Sequence, residues 1–374
     1  MKEFYVMRLD RVQRVMTREE TSGILLFNPF NIRYLTGYRP TCVNGASVAV
    51  LGQDTEPWLI LPETELDLAN AKSWFDHIHT YTPSQDEGSS QSTFLNCIQE
   101  AIENHNFQSV DIGVELDFIS ARRFEELKRL LPDAGFKNIS RSIAELRMIK
   151  DDVEIEKIQR AVQFTEHGLR AAIEFIQPGI TEIEVAAEVE RTLRKAGATN
   201  TGYPTVIASG PRAACPYAPA SRREIASDEF VIISVSATND DYCSSLTRTV
   251  MTGKPNKDQL AFYECARDAI IAARNQLNPE TLVRDIALSI RRIADDCGFL
   301  KCLMHQMGSG IGLQPIELPL ISPTNEGLLL PGMVFTIEAS LFKPNRGGIR
   351  LGDTVAYQKD GNYHTLNQIP LQTV

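Results

Sequence analysis

The sequence predicts a mixed α/β (α+β) chain in two domains, on three observations. Its 374 residues amount to about two and a half average domain lengths. The first ~140 residues alternate short apolar, β-rich runs with amphipathic stretches, the texture of an α/β layer. Near residue 145 that texture gives way to long capped helices separated by strands.

In the first domain, Gly23–Phe27, Ala46–Leu51, Trp58–Leu61 and Val110–Val114 read as strands. Ser92–His105 and Ala121–Leu131 carry apolar residues at helical spacing. The polar, turn-rich run Gln85–Ser92 between them reads as a loop. In the second domain, Asp151 or Asp152 caps a helix whose apolar face runs from Val153 to Phe164 and beyond. Gln177-Pro178-Gly179 breaks it, and Thr181 caps a second helix to about Ala196, with Glu182 and Glu184 in its first turn. Phe230–Val235, Leu246–Met251, Val334–Glu338 and Thr354–Tyr357 read as strands, with helices at Gln259–Gln276 and Pro279–Cys297. The domains are therefore expected at 1–145 and 146–374.

Composition narrows the function classes. Forty-eight acidic against 38 basic residues leave a formal charge of −10, opposed to binding a nucleic-acid backbone. No apolar run approaches the ~20 residues of a membrane span, and the acidic start does not look like a signal peptide. A cytoplasmic protein with no membrane or nucleic-acid partner is expected. The seven cysteines are scattered without a C-x-x-C pair, which suits buried thiols in a reducing compartment better than a zinc cluster or disulfides.

Four segments of the second domain carry a resemblance: Val231–Val250, Met304–Pro319, Pro331–Glu338 and Gly347–Val355. With Glu145–Ile149, Ser209–Pro219 and, in the first domain, Asn28–Gly37, they resemble the aminopeptidase P, prolidase and creatinase superfamily over nearly the whole chain. The resemblance implies a creatinase/prolidase-type N-terminal domain, a C-terminal pita-bread domain and a homodimer. It also implies a pair of divalent ions held by two Asp, one His and two Glu. Here those positions fall on Ser234, Ser245, Ser309, Glu338 and Gly352, so only Glu338 keeps its ligand type. The flanking Tyr242, Thr247, Arg248, Thr249, Gly308, Gly310, Gly312, Gly348, Arg350 and Asp353 match the motifs and fix the register.

A hard divalent ion needs several carboxylate oxygens, or imidazole with carboxylate, to offset its dehydration. Neutral serines and a glycine do not supply them, so neither metal nor other cofactor is expected. Asp240 and Asp241 are nearby substitutes in sequence, although a loop pair of this kind is more often simply solvated.

The expected catalytic set is Glu338, His305 and Tyr217, the last standing where the resemblance implies a histidine. Glu338 reads either as a proton shuttle or as a relic held by Arg350 or by hydroxyls. His305 reads either as an acid, base or donor to substrate, or as a structural residue beside a glycine turn. Tyr217, with an ordinary phenol, suits donation of a hydrogen bond. Ser234, Ser245, Ser309 and Glu317 are expected to line a hydrogen-bonding substrate pocket.

Arg350 reads as a carboxylate clamp or as the internal partner of Asp353 or Glu338. Arg33 is a second clamp only through the resemblance, since in creatinase-like dimers the first domain reaches toward the partner's pocket. The expected function is metal-independent action on a small, nitrogen-containing, non-peptide molecule, such as C–N bond hydrolysis. The alternatives are a non-catalytic binding protein on the same fold and a metal-dependent Xaa-Pro peptidase with displaced ligands.

Overall fold

The computed structural model describes residues 2–41, 43, 45–53, 55–83, 87–107, 110–344 and 346–371. The chain divides after Leu146 into two compact units.

The first unit is built on a six-stranded mixed sheet. Its order is His77–Tyr81, Trp58–Pro62, Val48–Gly52, Gly23–Leu26, Asp111–Val114 and Gly135–Asn138. The three strands of the apolar runs GILL, VAVLG and WLILP are buried along their whole length, as expected of strands covered on both faces. The two edge strands, HIHTY and GFKN, are largely half-exposed and polar, so neither shows as an apolar run.

The helices not expected from the sequence include Leu66–Lys72 and Ser140–Met148 as well as Lys2–Arg18 and Pro29–Thr36, which flank the first strand. Another begins earlier than expected: it spans Glu87–His105, so residues 87–92 are helical where a loop was expected, and 85 and 86 lie outside the described residues. Its later turns bury Phe94, Ile98, Ala101 and Ile102 on the sheet, and helix cooperativity carries the backbone back through the polar start. In the short helix, Asn28 accepts from the Phe30 amide and Gly37 closes the end at φ 86°. Buried Glu115 holds its start, accepting from the amides of Phe27 (2.6 Å) and Asn28 (2.8 Å) and from the Asn31 side chain.

The second unit has an eight-stranded sheet. Seven strands run in the order Glu317–Leu320, Ser309–Gly310, Val334–Lys343, Gly347–Tyr357, Leu246–Met251, Phe230–Val235 and Val206–Ser209, while Tyr363–Thr365 adds to Gly347–Tyr357. Helices Lys257–Asn275 and Val283–Asp296 bury Phe262, Ala266, Ile270, Ile286 and Ile290 in one core with the sheet's Phe335, Ile337, Leu351 and Val355. Helices Asp152–Phe175 and Glu182–Ala196 each begin in a capping box, Asp151 with Glu154 and Thr181 with Glu184.

The strand Gly347–Tyr357 is far longer than the four residues read as apolar, because Gly347, Gly348 and Gly352 interrupt its hydrophobic pattern without interrupting its pairing. Arg248 pins that pairing from within. Fully buried, it donates to the carbonyl of Gly352 at 2.7 Å and to Asp353 Oδ1 at 2.7 Å. Among the described residues no helix is long and apolar enough to cross a membrane.

Candidate functional site

Strand register assembles the site. Val206 pairs with Ser234, Ser234 with Thr247, Thr247 with Gly352, and Gly352 with Glu338. These five residues form one row across five adjacent strands, and directly paired residues present their side chains on the same face. Arg350, two residues from Gly352 along its strand, shares that face, and Ser245 stands just before the strand Leu246–Met251. Gly352 is the gap in the row: a Cβ there would stand 3.1 Å from Glu338 Cγ and 3.6 Å from Thr247 Cβ.

A cavity of about 380 Å³ opens over this face. Ser245, Ser309, Glu338 and Arg350 line its floor side, and Tyr203, Thr205, Val206, Tyr217, Met304, Gln306 and Ile316 are among its walls. Tyr217 and Ile316 are 62% and 55% exposed and mark the rim. The segment bearing Tyr217 is held by Glu182, a fully buried carboxylate at the start of its helix. Glu182 accepts from the Ser209 amide (2.8 Å), Arg212 Nε (3.0 Å) and the Ser221 amide (3.0 Å).

Two arrangements dominate the chemistry of the floor. In the first, Arg350 donates from Nε (3.1 Å) and Nη2 (2.6 Å) to the same oxygen, Oε2 of Glu338. Burial by itself would lower the Arg350 pKa, but the adjacent Glu338 reverses this and raises it, so the guanidinium is held charged. Of the two readings of Arg350, the structure thus shows the internal pair with Glu338. Asp353 is engaged elsewhere, by Arg248 and by Arg274 at 3.0 Å.

In the second arrangement, the Tyr203 hydroxyl lies 3.0 Å from Ser234 Oγ, 2.9 Å from Ser245 Oγ and 3.2 Å from the Val235 carbonyl. Ser234 in turn meets Thr247 Oγ1 at 2.8 Å. The carbonyl can only accept, so the phenol donates its hydrogen bond there and both serines donate to Tyr203. Burial foremost pushes the Tyr203 phenol upward, which keeps it protonated at neutral pH. The sequence reading passed over Tyr203, since a tyrosine in a short loop before a strand carries no motif of its own.

The expected site residues separate into two groups. Ser245, Ser309, Glu338, Arg350 and Tyr217 come together around the cavity, with Ser234 fully buried behind Tyr203. His305 and Glu317 do not line it. His305 is exposed, and its neighbours Met304 and Gln306 face the cavity in its place. Glu317 is bound by Arg147 and by Lys150 at 3.2 Å, and it accepts from the Gln314 amide at 2.9 Å. Burial would raise its pKa, but the two cations prevail and lower it, so this carboxylate is a buried structural anion. Arg33 is 2% exposed and donates to the Tyr5 hydroxyl at 3.1 Å inside the first unit. Asp240 pairs with Lys157 and remains half-exposed, as a solvated loop acid does.

Comparison with known proteins bears on the same residues. The profile described as metallopeptidase family M24 matches residues 156–359, and that of the creatinase/prolidase N-terminal domain matches residues 8–149. The chain belongs to metallopeptidase family M24. A Xaa-Pro dipeptidase of Pyrococcus furiosus is 32% identical over 356 residues, 95% of this chain and 96% of that protein. The fold superposes on a Xaa-Pro dipeptidase from Bacillus anthracis with a TM-score of 0.89, at 25% identity and covering 99% of both chains. It superposes on the prolidase of Pyrococcus horikoshii with a TM-score of 0.88, at 27% identity and covering 98% of this chain and 100% of that one. Membership of the family makes the chain a mixed α/β protein with a creatinase-type N-terminal domain and a pita-bread C-terminal domain.

The family's name implies a metal, and the donor set here does not fit one. Ser234 and Ser245 already share their hydroxyls with Tyr203, and the only carboxylate on the floor among the described residues, Glu338, is committed to Arg350. Among the described residues no group of three or more His, Cys, Asp or Glu is placed to hold a metal ion.

Proposed function

We propose that the chain is a hydrolase-type enzyme of this family that cleaves a C–N bond in a small, nitrogen-containing, non-peptide molecule without a bound metal. The observation that supports the reading is the Tyr203 hydroxyl, seated between the two serines of the floor. In hydrolysis, a water attacks the carbon of the C–N bond and gives its proton to Glu338, which returns it to the departing nitrogen. Arg350 holds Glu338 in place, while Ser309 and Tyr217 offer hydroxyls to the substrate. On this reading the protein works in the cytoplasm as a homodimer and has a small molecule as its partner.

The test combines metal analysis of the purified full chain with turnover of amides, amidines and lactams before and after chelation. Metal well below stoichiometric and rates indifferent to chelator are expected. Stoichiometric manganese, zinc or iron, with activity lost on chelation, would overturn the reading. Glu338→Gln should lower turnover by roughly 10²–10⁴-fold, and unchanged turnover would remove the proposed proton carrier.

The names of the relatives favour a second reading, a metal-dependent Xaa-Pro dipeptidase. Hydrolysis of Xaa-Pro dipeptides that appears only with added manganese would select it over the first.

A further inference from the structure

Three cysteines of the second unit, all free thiols, gather at one end of a helix pair, and none of them lines the cavity. Cys265 lies on the inner face of Lys257–Asn275, buried in the core with Phe262 and Ala266. Cys297 is the exposed C-cap of Val283–Asp296, the helix packed beside it. Gly298, at φ 76°, then folds the chain back, and the Phe299 amide donates to the Ala294 carbonyl at 2.7 Å. The turn sets Phe299 edge-on against Phe262, one helical turn before Cys265, with ring centroids 5.0 Å apart. Half-buried Cys302 ends the helical turn Leu300–Cys302 and packs on the same core.

This fold-back brings the sulfurs together. The thiols of Cys265 and Cys297 are hydrogen-bonded to each other, and Cys302 is close enough to act on Cys265 electrostatically. Burial foremost, then the contact with Cys297, pushes the Cys265 thiol up to about 12, so it stays protonated and inert towards solution reagents. Cys297 is the exposed member of the pair and the one a dissolved oxidant reaches. An accessible sulfur in contact with a buried one is the arrangement from which an oxidised thiol is resolved into a disulfide.

We infer that Cys297 and Cys265 form a reversible disulfide when the protein meets a peroxide. The Cys297 sulfur attacks one peroxide oxygen: an S–O bond forms, the O–O bond breaks, and the departing hydroxide takes the Cys297 proton as water. The Cys265 sulfur then attacks that of Cys297. An S–S bond forms, the S–O bond breaks, and the second hydroxide leaves as water with the Cys265 proton. Two electrons pass from the pair of sulfurs to the peroxide, which is the only co-reactant. The reaction is slow, because Cys265 must give up a tightly held proton and the acidic Asp295 and Asp296 adjoin Cys297.

The test treats the reduced full chain, freed of reductant, with millimolar hydrogen peroxide for minutes to hours and maps its peptides by mass spectrometry without reduction. A peptide pair joined through Cys265 and Cys297, lighter by two hydrogens and released by dithiothreitol, is expected. Cys297→Ser should abolish the bridge, and Cys302→Ser should keep it. In Cys265→Ala, dimedone should trap Cys297 as its sulfenic acid. The wild type and the two serine variants decide the outcome even where Cys265→Ala does not fold. No bridge at these positions, a bridge from Cys297 to Cys302 in its place, or a wild-type Cys297 that ends as sulfinic or sulfonic acid would each overturn the inference. Substrate and metal do not enter the measurement, so the proposed function stands or falls separately.

Discussion

Tyr203 shows how one side chain changes the chemistry of a site. Its hydroxyl takes hydrogen bonds from Ser234 and Ser245, and it brings a buried neutral group to a place where the resemblance implies two carboxylates and metal. Phenylalanine would keep the ring and strip the serines of their shared partner. Tyr203→Phe should therefore lose about 1–3 kcal/mol of stability, read as a lower Tm with the fold intact by circular dichroism. An unchanged Tm would show that the serines find other partners. The places where the resemblance implies ligands fall on Ser234, Ser245, Ser309 and Gly352 because Thr247, Arg248, Gly308 and Arg350 match the motifs on either side. The roles of Glu338 and Arg350 were not legible in the sequence, since a glutamate at a strand position is the same letter whether it is free or ion-paired.

At the scale of elements, the site depends on strands brought close by glycine. Gly308 sits at φ 128°, and a Cβ on it would lie 2.0 Å from the carbonyl oxygen of Thr336. Gly308→Ala combines a strained backbone with a clash against main chain, neither of which a rotamer change can relieve. It should cost at least ~3 kcal/mol, seen as a large drop in Tm or insoluble expression, whereas Gly179→Ala, with open space around it, should suffer only the backbone penalty at φ 92°. Elements with apolar periodicity or a capping pair were legible: the helix after Asp151, the helix after Thr181 and the buried strands of the first unit. Ser309–Gly310 and most of Gly347–Tyr357 were not, because their pairing is decided by neighbouring strands rather than by their own side chains.

At the scale of the whole molecule, the buried Arg147–Glu317–Lys150 cluster links stability to pH. The folded pKa of Glu317 lies below its ordinary value of 4.5, with the two cations overcoming the effect of burial. A carboxylate with a depressed pKa contributes stability that is present above its unfolded value and is lost as pH falls through the folded one. Thermal melts should thus show wild-type stability declining below about pH 4.5. Glu317→Gln should be destabilised at neutral pH by about 3–5 kcal/mol, because it takes the shared carboxylate from two buried cations, and should show a flatter acid limb. An acid limb of equal slope in both proteins would mean that other carboxylates govern it.

The sequence by itself determined the fold class and the family. Local patterning and motif spacing survive translation along a chain, so they can be read without coordinates. Only the tertiary structure decided that Glu338 spends one oxygen on Arg350, that Tyr203 fills the space between two serines, and that His305 and Glu317 lie off the cavity. Those outcomes depend on through-space distances of about 3 Å between residues up to 167 positions apart, which tertiary packing sets and residue order does not encode locally.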